Sequence, residues 1–226
     1  MDFSDESGSV PPGADLEDYG FTDVANVFIH ADGQIETTGP GDWSNLSTFT
    51  TPELLLDRNT GGGIEVSWQM RYPETSGVRW KENNKTWITL LGSTGSTAFE
   101  VLYKPNGTAS EASSPDLQLD AAGGNLGSAK TGLIAGDDPA TPENDAEWIA
   151  FRLVIHPTTS AGGSGVVSLY FNDEELPRIS ESSELDATIH GLQFAYKTGK
   201  ETDEKDELFV AQIRGLSVLP VDYSES

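Results

Sequence analysis

"GGGIEVSWQMRY", residues Gly61 to Tyr72, opens on three glycines and then alternates strictly. Ile64, Val66, Trp68 and Met70 fall on one side of this stretch, and Glu65, Ser67, Gln69 and Arg71 on the other. Side chains of a β-strand point alternately to its two faces, so the segment reads as a strand with an apolar face on a core and a polar face toward water. The same two-residue period returns in "KTWITLLGS" (Lys85 to Ser93), "AFEVLYK" (Ala98 to Lys104), "EWIAFRLVIHP" (Glu147 to Pro157), "GVVSLYFNDEELP" (Gly165 to Pro177), "HGLQFAYK" (His190 to Lys197) and "LFVAQIRGLSVLP" (Leu208 to Pro220). Asn26 to His30 and Gly33 to Thr37 bracket an Ala-Asp-Gly turn and predict a hairpin. Trp43 to Phe49 and Glu53 to Leu56 supply two further candidates. Trp68, Trp87 and Trp148 are expected in the core. About ten short strands of this kind predict an all-β fold with two antiparallel sheets packed face to face.

Punctuation between the strands fits that reading. Asn172-Asp173-Glu174-Glu175 is acidic, but Asn and Asp tolerate tight-turn backbone angles, so it reads as a hairpin turn rather than a metal or sugar site. Residues 105–147 are rich in Gly, Ser, Asp and Pro and predict a long irregular loop region. With 226 residues, no internal repeat and no linker, the chain is expected to be one domain.

Composition excludes some functions. A formal net charge of −24 repels nucleic acid and anionic lipid, so neither is an expected partner. No segment has the ~18 consecutive apolar residues of a membrane-spanning helix, so no membrane insertion is expected. The absence of cysteine removes disulfide and thiolate chemistry. A bacterial module, secreted or at the cell surface and excised from a larger exported protein, accommodates that absence best.

The later strands resemble the concanavalin A-like (laminin-G-like) jelly rolls. The resemblance is carried by "EWIAFRLVI", a Gly-rich turn and "GVVSLYFNDEELP", with "DFSDESGSVPPG" at the start and "LFVAQIRGLSV" at the close. In the closing strand Ala211 and Gln212 stand where that family usually has Asp and Asn. The resemblance implies a jelly-roll β-sandwich used chiefly for glycan recognition, and elsewhere for polysaccharide hydrolysis or lysis; fold alone does not choose among these.

Candidate sites follow from residue chemistry. "MRYPETSGVRWKENNKTW" concentrates cations and aromatics: six of the 13 Lys and Arg residues are Arg58, Arg71, Arg79, Lys81, Lys85 and Lys104. Sugars stack their C–H faces on rings and take hydrogen bonds from forked donors. Arg71, Tyr72, Arg79, Trp80 and Tyr103 are therefore the expected carbohydrate-binding residues, with Arg71 and Arg79 suited to an acidic polysaccharide such as a uronate. The alternative is catalysis. Glu143, Asp145 and Glu147 match the E-x-D-x-E pattern of laminarinase- and licheninase-like glycosidases, although two prolines precede them and Asn144 and Ala146 replace that family's bulky apolar residues. "RISESSELDATIHGLQFAYKTG" (Arg178 to Gly199) resembles alginate-lyase-like motifs, with His190 and Tyr196 as the acid/base pair it would imply, compressed into one short stretch. His30 and His156 end apolar strands and read as sheet residues. The acidic tracts Asp137-Asp138 and Glu201 to Glu207 read as solvated loops. No cofactor is required; structural calcium is the alternative at the acidic tracts. The expected function is a non-catalytic glycan-recognition or adhesion module with a polysaccharide or glycan as partner. Its rivals are a polysaccharide-degrading enzyme on the same fold and a structural domain of a surface or fibre protein.

Overall fold

The computed structural model of the chain describes residues 15–30, 33–37, 46–58, 62–71, 85–104, 115–131, 148–160, 163–185, 187–197 and 211–221. A 3-10 turn, Leu16–Tyr19, precedes the strands. In chain order these are β1 (Thr22–Ala25), β2 (Val27–Ile29), β3 (Ile35–Thr37), β4 (Ser47–Thr50), β5 (Leu56–Arg58), β6 (Gly63–Arg71), β7 (Lys85–Leu91) and β8 (Thr97–Tyr103). They continue as β9 (Leu117–Ala121), β10 (Gly124–Ala129), β11 (Ile149–Ile155), β12 (Gly165–Phe171), β13 (Ile179–Ser183), β14 (Ala187–Ile189), β15 (Gly191–Lys197) and β16 (Gln212–Val221). One sheet runs β1-β4-β15-β7-β8-β9-β10 and the other β13-β12-β11-β6-β16-β3-β2, with β14 and β5 as a small pair beside them. Every pairing is antiparallel, and the fold is a concanavalin A-like jelly roll.

The inward half of each strand builds one core. On β6 the buried set is Ile64, Val66, Trp68 and Met70, as the alternation predicts. At the centre Trp68 stacks on Phe151 at 5.1 Å, and Phe151 takes Phe171 and Tyr103 edge-on at 5.4 Å each. Phe49 and Phe194 stack at 5.0 Å across β4 and β15. The hairpin from β12 to β13 turns through Asn172 and Asp173, both with positive φ (53° and 57°), and the Glu174 N–H donates to the Phe171 carbonyl. The acidic tip is a turn.

Two expectations are corrected. The region 105–147 contains a hairpin, β9 and β10, that extends the β7–β8 sheet; Leu117 and Leu119 supply its inward face. Its outer strand is glycine-rich for a steric reason. A Cβ on Gly127 would lie 2.7 Å from the Ile179 side chain, so β10 approaches β13 closely enough to shut that side of the sandwich. Arg58, counted in the sequence among the cations around a binding site, is instead 1% exposed. Its Nε and Nη groups donate to the carbonyls of His156, Gly165, Ser183 and Leu185, and its guanidinium lies 5.5 Å from the centre of the Phe99 ring. One side chain thus ties β5 to the ends of β11, β12 and β13. The fit leaves no slack: a Cβ on Gly165 would sit 2.2 Å from the Pro157 carbonyl oxygen.

Asp116 performs a smaller tie at the base of β9. Its carboxylate accepts the Thr131 N–H at 2.7 Å and the Thr131 hydroxyl, while its own backbone joins Lys104 and Ala129. Burial pushes its pKa above the ordinary 3.8, against the opposing pull of the Thr131 hydrogen bonds and the Arg178 charge.

Two predictions follow from these ties. Arg58→Ala leaves four buried carbonyls without their donor and opens a cavity, so chemical denaturation should report a loss of about 3–5 kcal/mol. For Asp116 the raised folded pKa means that its charged form opposes folding. The group is neutral in both states below 3.8, and the cost of burying its charge grows as pH rises through the folded value. Asp116→Asn removes the charge while its amide oxygen still accepts the Thr131 N–H and its NH2 donates to the Thr131 hydroxyl, which turns from donor to acceptor. It should be at least as stable as the native chain at pH 7, with the difference closing as melting is followed to below pH 3.8.

Candidate functional site

The outward half of the β6 sheet carries the one concentration of rings and guanidinium groups among the described residues. Register sets the rows. Arg71 lies opposite Gln212, which lies opposite Glu36; Arg214 lies opposite Gln69, which lies opposite Ala150; Ser67 lies opposite Arg152, which lies opposite Tyr170. Each arginine is laid on an aromatic ring. The Arg152 guanidinium carbon is 3.9 Å from the centre of Tyr170, and Arg214 and Arg71 are 3.9 Å and 4.6 Å from the centre of the same Trp148 ring. Hydrogen bonds fix their rotation: Arg214 Nε donates to the Gln69 side-chain oxygen at 2.7 Å, and Arg71 Nε to that of Gln212, whose amide donates to Glu36. Arg152 approaches Glu65 at 3.6 Å.

On this face lies an open groove of about 440 Å³, lined by Ser67, Gln69, Arg152, Tyr170, Asp173 and Arg214 among others. Its floor is sheet and its end wall is the β12–β13 turn. Glu174 in that wall is forked onto Arg178 (2.6 Å to Nε), and Arg178 also donates to the Lys130 carbonyl. A bulge shapes the opposite wall. Arg214 pairs with Gln69 but Ser217 with Ser67, so β16 holds one extra residue, with Gly215 at φ 61°. The extra residue resets the alternation, letting Leu216 turn into the core while Arg214 and Ser217 both stay outside.

The expected site residues divide. Arg71 belongs to this face. Tyr103 is corrected: it is 2% exposed, locked against Phe151 between the sheets, and offers no surface on which a sugar could stack. Tyr72, Arg79 and Trp80 lie outside the described residues, as do Glu143, Asp145 and Glu147 and both acidic tracts. The His190–Tyr196 pair is also not assembled, because Tyr196 is 1% exposed on the inner face of β15 while His190, at the sheet's end, lies 3.6 Å from Glu53. Two tryptophans expected in the core stand outside it: Trp148 between its two arginines, and Trp87, half-buried on the outer face of the β7 sheet. Sequence reading put Gln69 on the polar face beside Arg71 without naming it a site residue, and it missed Arg152, Tyr170, Arg214 and Trp148. Their signal was there, since all but Trp148 occupy the polar phase of their strands. Among the described residues, no three His, Cys, Asp or Glu side chains group as metal ligands.

No family model and no curated protein matches the chain. Solved structures do. A cellulose-induced protein, Cip1, superimposes with a TM-score of 0.55 at 12% identity, over 96% of this chain and 95% of that one. A sialidase superimposes at 0.52 and 12% identity, over 97% of this chain but 18% of its own. An alginate lyase of polysaccharide lyase family 7, AlgAT5, gives 0.48 and 12%, over 88% and 83%. At these identities the likeness shows the fold alone.

The bulge makes its own prediction. No atom lies within 4 Å of a Cβ built on Gly215, so the only obstacle to a side chain there is the left-handed backbone. Gly215→Ala should cost about 1–2 kcal/mol in urea unfolding, and Gly215→Asn less, because Asn tolerates that conformation.

Proposed function

We propose that the chain is a non-catalytic glycan-binding module, secreted or on a cell surface, and that the groove lined by Arg214, Gln69, Arg152 and Tyr170, with Trp148 behind Arg214, holds the ligand. The observation that carries the reading is the preset orientation of the arginines. Each guanidinium is held over a ring before any ligand arrives, with a hydrogen bond or a nearby carboxylate at one side and, among the described residues, further N–H groups to offer hydroxyls. Sugar recognition combines such forks with apolar surface, and a cleft of a few hundred Å³ accommodates one or two rings.

Binding is preferred to catalysis on the groove's own residues. Glycoside hydrolysis needs two carboxyl groups flanking the bond, about 5–10 Å apart. The described groove offers Asp173 and a Glu174 already engaged by Arg178, and no histidine.

The deciding experiment is a glycan panel on the purified chain, with product analysis of every ligand bound. We expect binding without turnover. Trp148→Ala, which frees both arginines it carries, should weaken the best ligand about tenfold (~1.4 kcal/mol) with the melting temperature little changed. Undiminished affinity would remove the groove from the reading. Turnover abolished by Glu143→Gln would replace the reading with the glycosidase one.

A further inference from the structure

We infer that the groove selects an anionic sugar, one bearing a carboxylate or a sulfate ester, and that Arg214, in the groove lining, grips the charged group, with Arg71 beside it on the same face. The inference rests on the glycan-binding reading and goes on to name the ligand's chemistry.

It starts from an imbalance. The chain has 37 Asp and Glu against 13 Lys and Arg, so an arginine on its surface has carboxylates on offer. Arg178 takes one in a fork with Glu174, and Arg152 lies 3.6 Å from Glu65. Arg71 and Arg214 take none among the described residues. Each gives its Nε hydrogen to a glutamine oxygen instead, Arg71 to Gln212 and Arg214 to Gln69. A glutamine oxygen orients a guanidinium much as a carboxylate does, but it leaves the positive charge uncancelled. The nearest acid to Arg71 in this network, Glu36, is held one side chain away, where it accepts from the Gln212 amide and so turns the Gln212 oxygen toward the arginine. Both guanidinium groups also share the Trp148 ring, at 4.6 Å and 3.9 Å from its centre.

The net charge of −24 does not forbid this. It repels a polyanion at long range, but such repulsion between exposed charges is screened beyond about 8 Å at physiological salt, whereas hydrogen-bonded guanidinium contacts are not. Planar, two-pronged donors favour carboxylate and sulfate oxygens over single hydroxyls. Asp173, the groove's one free acid on the described residues, lies at the opposite wall and discourages the anion there, which sets the ligand's direction.

The test is titration calorimetry at ~0.15 M salt, near the physiological screening regime. The probes are oligogalacturonate and a sulfated galactan oligosaccharide, each paired with its carboxyl-reduced or desulfated counterpart. The native chain should bind at least one charged probe ten times or more tighter than its neutral twin, and which pair shows the preference tells carboxylate from sulfate. Arg214→Gln, exposed and remote from the core, should keep the fold by circular dichroism and lose the preference. Arg214→Lys, with the charge but not the fork, should recover only part of it. Equal affinity for charged and neutral twins overturns the anionic assignment and leaves glycan binding standing. A preference that survives Arg214→Gln overturns the assigned grip. Failure to bind any member of a wide glycan panel overturns both readings together.

Discussion

One register governs this molecule: Trp68 on β6 lies directly opposite Phe151 on β11. The two rings stack with planes 3° apart and form the middle of the core. Because neighbouring residues point to opposite faces, that pairing also fixes Ser67 opposite Arg152 and Gln69 opposite Ala150 on the outside. A slip of one residue would drive two indole- and phenyl-sized groups into water and two polar groups into the core. Core and groove are therefore two faces of the same decision, and the large loss of buried apolar surface on slipping protects the groove's geometry.

Arg58 shows the reverse arrangement, a charge placed where the fold would not be expected to carry one. Burying an ion is costly unless its donors are satisfied, and here four backbone carbonyls from three separate segments satisfy them. Carbonyls at strand ends need donors in any case. A single guanidinium meets several of these needs at once, in a planar geometry that a lysine cannot reproduce. Nearby His156, whose carbonyl it binds, has its side-chain pKa lowered by burial and by the Arg58 charge, so a second cation at this end of the sandwich is disfavoured.

How far the sequence was legible depends on whether phase alone decided a position. It decided β6, β11, β12 and the Asn172-Asp173 turn. The same phase rule placed Tyr103 inside with Phe99 and Val101, but chemistry drew attention to its hydroxyl first. Trp148 sits three residues before Phe151, an odd offset that puts it out of the core's phase; reading it as the leader of an apolar strand hid this. In "TWITLL" threonines occupy both phases, so only the pairing of Trp87 with Ala195 and of Ile88 with Phe194 tells which tryptophan face is outside. β10 carried almost no apolar signal because its place against β13 demands a glycine, not a core residue. Arg58 had no signal at all, since its partners are main-chain atoms 98 to 127 residues away and no side-chain pattern encodes them.

The groove's use of arginine bears on how it can bind at all. A free arginine side chain gives up roughly 2 kcal/mol of rotamer freedom when a ligand immobilises it, and several such losses would cancel much of a weak sugar contact. Here stacking and, for Arg71 and Arg214, the Nε bonds remove that freedom in the folded protein itself, so the ordering belongs to folding and not to binding. The rings serve as rails for the guanidinium groups, and the sheet beneath them as a rigid bed. The groove's walls come from the same economy of parts, with the bulge at Gly215 on one side and the tight turn at Asn172-Asp173 on the other. Both are departures from regular strand geometry, and both stand at the edges of the groove. Leu216 still turns into the core beyond the bulge, and Arg152 stays on a strand paired on both sides, so the interruptions shape the walls without disturbing the sheet between them.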